Sequence, residues 1–574
     1  MSKNLTNNQM LLKTCISREF ADSTYTNQSS FFEFFSSSQI LKNYNLSDDE
    51  IEGGIVGSGN DGGCDGIYVF LNGDLLTIDQ LSNISAAKGS ELKLVIIQAK
   101  ETTSFNETVL MKWKTTSENL LDMSNSIDSF SIRYNESVRE GFRLFRDSLT
   151  ALITNQIKIS IEYVYASLAI ELHPNVKAQA EELKKLIIGL YPTTKVAVTF
   201  VGADQMMELY YKDSDVNINL TLSDIPITLG SNVEYVSLVN LATYYRFITD
   251  DTGSLRRRFF EANVRDYQGR NTVNSCIAET LKNEGVEDFW WLNNGVTILA
   301  EKVTQITTKE LSLLNPEIVN GLQTSTEIFN YYSDNSDRLS EEKRNVLVRV
   351  IVPENEAVRD NIIFATNNQT NIPKSSLRVT DPIHLQIEMY FKSRGLYYDR
   401  RKNYYKNQKK KSTDIVGVSF LAQCLISIIL RKPDFARARP STLLTDDATY
   451  AKLYEDNKDL NSYYNAAWLG KKVHRNLSAT QYMTPAERSD ILFYLLYALA
   501  AKVIGKKEIS FSDLATVDVN LFNDSLIDGV KDQIYEKYKE LGGNGRVAKS
   551  STFINEIDTI LNKSNTTEQE TVLE

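Results

Sequence analysis

The chain has 574 residues, 42% of them hydrophobic and 24% charged, with a formal net charge of −11 and a pI near 5.2. That length exceeds what one hydrophobic core serves, so roughly two to four domains are expected, and the composition is that of an ordinary globular protein. The acidic balance excludes a uniformly basic nucleic-acid-binding coat and leaves room only for a local basic groove.

Cys15, Cys64, Cys276 and Cys424 are far apart and form no C-x-x-C pair, which points to a reducing compartment and away from a zinc site. The histidines, His173, His384 and His474, are too few for a His-based metal cluster or a Ser-His-Asp triad to be a good reading. The longest apolar run, Ile491 to Ile504, is broken by Lys502 and falls short of a membrane span. The opening MSKNLTNNQM lacks a basic-then-apolar leader. A cytoplasmic chain with no membrane partner is expected.

In chain order, residues 1–46 read as helical, with an aromatic face through Phe31, Phe32, Phe34 and Phe35. Glu33 is the acid within that face, which by itself reads as a solvated flank residue. Ser47 to Glu50 (SDDE) is an S-x-x-E capping box that starts a short helix. Gly53 to Gly66 is glycine-rich and holds Asp61 and Asp65; glycine there permits tight turns and close approach of a ligand. Ile67 to Leu71 reads as a strand, Asn72-Gly73 as a two-residue hairpin turn, and Asp74 to Ile78 as the returning strand. Leu92 to Ala99 is a nearly continuous apolar run, suited to a strand buried on both faces.

Side chains alternate along a strand, so Gln98 and Lys100 point one way and Ala99 the other. Asp65 opens one strand while Gln98 and Lys100 close another, and in a twisted sheet those ends can lie side by side. Asp65, the Gln98 amide and a backbone carbonyl would supply oxygen ligands to a hard cation, Mg²⁺ or Mn²⁺. Such an ion polarises a phosphate and acidifies a bound water, and Lys100 could offset transition-state charge. The next region, to about Leu152, reads as helical and carries Lys112, Lys114, Arg133, Arg139, Arg143 and Arg146, either a phosphate-facing surface or a solvated face. Ile157 to Ile170 and Lys195 to Val201 read as strands flanking a helix over 174–190. Helix, hairpin, strand, helix, strand predicts an α/β sandwich with a mixed sheet, closed by a polar boundary near 212–232.

The motifs G-N-D-G-G-C-D-G (Gly59 to Gly66) and Q-A-K (Gln98 to Lys100) resemble the PD-(D/E)XK nuclease superfamily in its Q-x-K, Mrr-type variant. The resemblance implies a restriction-endonuclease-like fold over 1–225, with Asp65 as metal-binding aspartate, Gln98 in the second acidic position and Lys100 as catalytic lysine. Glu33 and Asp61 are weaker candidates. The neutral Gln98 departs from the acidic pattern and leaves an inactive nuclease fold as an alternative.

From 233 to 412 the elements change. Residues 254–283 read as a helix bearing Asn263, Arg265, Asp266 and Asn274; Val296 to Ala300 and Val346 to Val352 read as strands. Three amide-rich joints sit at element ends: Asn293-Asn294, Asn320 to Gln323, and Asn367 to Gln369, the last including Asn368. They are caps and turn formers or the lining of a polar pocket with an anion site after Gly321. The motifs N-V-R-D (Asn263 to Asp266), W-W-L-N-N-G (Trp290 to Gly295), I-V-N-G-L-Q-T (Ile318 to Thr324) and A-T-N-N-Q-T (Ala365 to Thr370) resemble the AIPR family, for abortive infection phage resistance. That resemblance implies a bacterial anti-phage role and a central α/β AIPR region over 233–412.

Arg394 to Lys411 is the one dense basic stretch. Arg400, Arg401, Lys402 and Lys406 interleave there with Tyr404 and Tyr405, a pattern that neutralises phosphates and stacks on bases, or else a loop whose tyrosines pack inward. Residues 413–561 read as a mainly helical region and 562–574 as a polar, disordered tail. The expected function is a metal-dependent endonuclease effector of phage defence, acting on DNA rather than RNA. Expected partners are nucleic acid, a second copy of the chain, and a phage-derived or operon-encoded activator. The alternatives are a non-catalytic nucleic-acid- or nucleotide-binding sensor, and a nucleotide-binding enzyme centred on Gln323 and Gln369.

Overall fold

The computed structural model describes residues 5–570 apart from 45, 58, 87, 212–215, 229–233, 251–252, 261–271, 283–286, 368–380, 401, 409, 439–446 and 455–457. Asn263, Arg265, Asp266, Asn368, Gln369 and Arg401, singled out above, lie outside the described residues.

Helices α1 (Asn7–Asp22), α2 (Gln28–Ile40) and α3 (Asp48–Gly53) open the chain. Each starts on a side-chain cap: Thr6 for α1, Asn27 for α2, and for α3 the Ser47–Glu50 capping box read from the sequence. The first sheet follows, with β1 (Gly66–Leu71), β2 (Asp74–Leu75), β3 (Glu91–Lys100), β4 (Lys158–Ser167) and β5 (Lys195–Val201) in the order β2-β1-β3-β4-β5. β1 is antiparallel to both its neighbours, while β3, β4 and β5 run parallel, so the sheet is mixed as expected. Helices α4 (Glu107–Leu120), α5 (Glu136–Leu152) and α6 (Pro174–Leu190) cover one face; α1, α2 and α7 (Ala203–Tyr211) cover the other.

The two-residue period sorts the strand side chains. Ile67, Val69, Leu94 and Ile96 pack under α4 to α6, and Tyr68, Phe70, Val95 and Ile97 pack on the opposite layer. The continuous apolar run of β3 is therefore buried on both faces. Asn72 and Gly73 both take positive φ, 51° and 82°, as the two-residue hairpin turn requires. The returning strand stops at Leu75 rather than Ile78, because the Thr77 N–H donates to Gln80 Oε1 at 2.9 Å and starts a 3₁₀ turn over Ile78–Asn83.

The middle region contains two sheets. β6 (Asn217–Thr221), β10 (Glu310–Leu314) and β9 (Lys302–Thr307) form one, in the order β6-β10-β9. The other has the order β11-β8-β12-β7, from β7 (Glu234–Asn240), β8 (Val296–Leu299), β11 (Glu317–Asn320) and β12 (Asn345–Ile351). Helices α8 (Leu241–Ile248), α9 (Thr272–Lys282), α10 (Leu322–Asp334) and α11 (Glu356–Asn367) complete the region. β6 lies in the polar stretch read as a boundary; it pairs with β10 and buries Leu220, so the middle region takes up chain upstream of 233. Such an edge strand shows mostly polar side chains and carries little apolar signal.

Apart from a short parallel strand pair, Tyr397–Asp399 with Ile415–Gly417, the rest is mainly helical, around a core in which Val418–Ile428, Leu460–Ala479 and Pro485–Ile504 converge. Ile383, Ile387, Phe391, Tyr398 and Val416 belong to that same core, so it reaches upstream of residue 413. The final helix, Ser551–Glu570, runs into the stretch expected to be a disordered tail. Among the described residues no helix is long and apolar enough to cross a membrane.

Candidate metal centre

The site forms where the start of β1 meets the end of β3. Gly66 pairs with Ile97, which sets Asp65 opposite Gln98. The Asp65 N–H donates to the Ile97 carbonyl at 2.8 Å, and the Asp65 carbonyl accepts from Val56 N–H at 2.8 Å. Asp65 Oδ2 accepts from the Ala99 N–H at 2.8 Å and from Gln98 Nε2. Asp65 and Gln98 are each 1% exposed, so the amide holds the carboxylate rigidly in a water-poor setting.

Glu33 arrives from α2. A methyl carbon built on Gly57 would lie 2.8 Å from Glu33 Oε2 and 3.2 Å from Asp65 Oδ1. The two carboxylates therefore meet over a backbone position that has no side chain. The glycine loop is fixed from α4, where Trp113 Nε1 donates to the Gly63 carbonyl at 2.6 Å and Thr116 Oγ1 to the Gly62 carbonyl at 2.8 Å. Asn135 Nδ2 donates to the Val56 carbonyl at 3.0 Å. Asp61 Oδ1 accepts from Gly63 N–H at 2.7 Å and shapes the turn.

Burial pushes the Glu33 carboxyl up to about 8; the negative charges of Asp65 and Asp61 add to this and Lys100 opposes it. Burial likewise lifts Asp65 to about 6, against Lys100, the Ala99 N–H and the Gln98 amide, which favour the ionised form. Two carboxylates that resist joint ionisation in a buried site are stabilised by a cation. Among the described residues no three His, Cys, Asp or Glu side chains cluster so as to hold a metal by themselves. A pair of carboxylates still fits Mg²⁺, which keeps several waters and takes one or two carboxylates together with substrate phosphates. The open cradle over Gly57 is where such an ion would sit. Gly57→Ala is expected to weaken divalent-ion binding by about tenfold or more, because its methyl occupies the cradle, while the thermal midpoint stays near wild type; calorimetric titration with Mn²⁺ checks this.

Asp65, Gln98, Lys100 and Glu33 thus come together, with Asp61 in the adjoining turn. The orientation of Gln98 differs from the expectation that it shares an ion with Asp65. Its nitrogen faces Asp65 Oδ2, and the oxygen across the cradle from Asp65 is Glu33 Oε2. Gly57 went unnoticed in the sequence; its signal is only its place in a glycine-rich loop ahead of Asp65.

The amide joints draw together in part. A Cβ on Gly321, whose φ is 103°, would lie 3.1 Å from the Gly295 carbonyl, and Asn320 Nδ2 donates to the Thr366 carbonyl at 3.1 Å. Asn293 Nδ2 caps the Phe289 carbonyl at 2.8 Å, Arg349 donates to the Asn294 carbonyl at 3.2 Å, and Gln323 Oε1 accepts from Asn274 Nδ2 at 2.7 Å. These are turn and packing contacts, and Asn368 and Gln369 of the third joint lie outside the described residues.

The basic stretch has partners within the chain. Arg400 is buried between Glu388 and Asp360, at 2.9 and 3.1 Å. Tyr405 is buried and its hydroxyl donates to Glu388 at 2.7 Å; Tyr404 stands edge-on to it. Lys402 pairs with Glu50 at 2.6 Å, Lys406 with Asp48, and Lys411 with Asp22 at 3.0 Å. Of the side chains expected to form a nucleic-acid surface, Arg400 and Tyr405 are buried against acids of their own region, and Lys402 and Lys406, with Lys411, reach α3 and α1, whose acids offer cations a fixed neighbour.

A family model described as AIPR protein matches residues 260–568, more than half of the chain and wholly downstream of the Glu33–Asp65 site. No curated protein and no solved structure matches the chain. The chain therefore belongs to the AIPR family, whose name, abortive infection phage resistance, assigns it to anti-phage defence.

Proposed function

We propose that the N-terminal sandwich is a divalent-metal-dependent endonuclease, acting on DNA rather than RNA, and that the protein is an abortive-infection effector. The observation that carries this reading is the meeting of Glu33 and Asp65 over Gly57, with the Lys100 charge felt by both. Glu33 and Asp65 would hold Mg²⁺ or Mn²⁺, which when bound supplies Lewis-acid polarisation of the phosphate and an acidified water. Gln98 and the Ala99 N–H fix Asp65 so that its other oxygen faces the cradle. Lys100, at the exposed end of β3, is placed to offset charge on a phosphate entering from solvent. The AIPR region, whose family match runs from residue 260 through the helical C-terminal region to 568, would sense a phage-derived or operon-encoded activator, alone or in a homo-oligomer. Gln98 in place of an acid favours the competing reading, a non-catalytic fold that grips nucleic acid.

The test is plasmid cleavage with Mg²⁺ or Mn²⁺ by the wild type, Asp65→Ala and Lys100→Ala, beside Mn²⁺ calorimetry on the same proteins. Metal-dependent cutting that drops by about a hundredfold or more in both variants is expected. Equal cutting by all three, or a wild type that binds no Mn²⁺, would overturn the assignment. Mn²⁺ binding without cleavage of DNA would favour the competing reading.

A further inference from the structure

The helix Leu460–Ala479 carries Trp468, Lys471, Lys472 and Arg475, spaced i, i+3, i+4, i+7 and so aligned on one face. That face forms one wall of a half-open depression of about 580 Å³, lined also by Arg394, Leu396 and Thr413. The volume is that of a small-molecule site. Four cations line it against two acids, Asp414 and Asp524, in a chain whose net charge is −11. Asp524 is 81% exposed and stands 3.8 Å from Lys472, so its charge is largely screened by solvent. Among the described residues no ion pair engages Lys471 or Arg475. The lining thus carries more cations than acids, four against two.

Aromatic surface stands beside the charge. Trp468 and Tyr464 are half-buried and line the same cavity. Arg394 is held by stacking, with its guanidinium 3.7 Å from the Tyr390 ring centre and 6.0 Å from that of Tyr464. Lys472 lies 5.3 Å from the Trp468 ring centre. Fixed cations next to flat, partly exposed rings match a ligand that joins phosphate to an aromatic base.

We propose that this cavity binds a nucleoside phosphate, with the base against Trp468 and Tyr464 and the phosphates on Arg394, Lys471, Lys472 and Arg475. Lys471 also offsets the charges of Asp49 and Glu52 on α3, and His474 of the same helix reaches Glu52 at 3.4 Å. Because α3 runs into the Gly57 loop, bound phosphate would alter the charge balance beside the metal centre. That consequence rests on the nuclease reading; the binding itself does not.

Calorimetric titration of the full chain with ATP, GTP, CTP and UTP tests the proposal, with inorganic phosphate and a ten-nucleotide oligothymidylate as separate arms. At least one nucleotide should bind, and Arg475→Glu and Arg394→Glu, both at exposed positions, should each weaken it by about tenfold or more with unchanged thermal midpoints. No nucleotide binding, or binding equal in both variants and wild type, overturns the assignment. Binding of phosphate alone as tightly as any nucleotide removes the role of the rings, and binding of the oligonucleotide alone makes the cavity part of a single-strand track instead of a nucleotide site.

Discussion

Glu33→Gln is expected to reduce metal-dependent cleavage by about a hundredfold or more and, separately, to change how stability depends on pH. The carboxyl is ordinarily near 4.5 and is held up to about 8 in the fold, by burial first and by Asp65 next. Between those two values the folded state keeps a proton that the unfolded chain has released. The contribution of this carboxyl to the stability of the metal-free protein is therefore fully present below the unfolded value and is lost as pH rises towards about 8. Glutamine carries no titrating proton, so Glu33→Gln should flatten that alkaline loss, a difference on the order of a few kcal/mol across the window. Mn²⁺ should restore wild-type stability more at pH 8.5 than at pH 6, since the ion competes with the proton for the same oxygen. Thermal midpoints from pH 5 to 9, with chelator or Mn²⁺, supply the measurement. A variant that cuts normally and keeps the wild-type pH profile would make Glu33 a bystander on α2.

Arg400→Ala is expected to cost about 3–5 kcal/mol, because it leaves Glu388 and Asp360 buried without their shared cation. The side chain of Arg400 is 2% exposed, so water cannot take its place. Lys402→Ala removes an ion pair whose partners are 40% and 35% exposed and should cost under about 1 kcal/mol. Denaturant midpoints of the two variants side by side check the contrast. If Arg400→Ala is as mild as Lys402→Ala, the anchoring of the basic stretch within the chain is wrong and its charges are available to phosphates after all.

These two residues also show where local pattern stops being informative. Glu33 in an aromatic run has the same appearance whether its helix faces solvent or a second carboxylate; the packing of α2 beside the start of β1 decides it. Arg400 in a basic, tyrosine-rich stretch looks like a phosphate contact until Glu388 and Asp360, distant in sequence, are seen on either side of it. The helical stripe at Trp468, Lys471, Lys472 and Arg475 was legible in principle, since its spacing is local, but its meaning depends on Arg394 lining the same depression from another segment.

By itself the sequence determined the elements whose signals are short-range: the Ser47 capping box, the Asn72-Gly73 turn, the doubly buried β3, and the motifs that mark the AIPR region. It also placed Asp65, Gln98 and Lys100 at strand ends, because a two-residue period and a glycine break need no distant partner to be read. Only the tertiary structure decided which oxygen of Asp65 is left open beside Gln98, that Glu33 stands across Gly57 from Asp65, and that Arg400 pairs with Glu388 and Asp360 while Lys402, Lys406 and Lys411 pair with α3 and α1. Those outcomes depend on desolvation and charge pairing between segments tens to hundreds of residues apart, and such energies arise only when the segments are packed together.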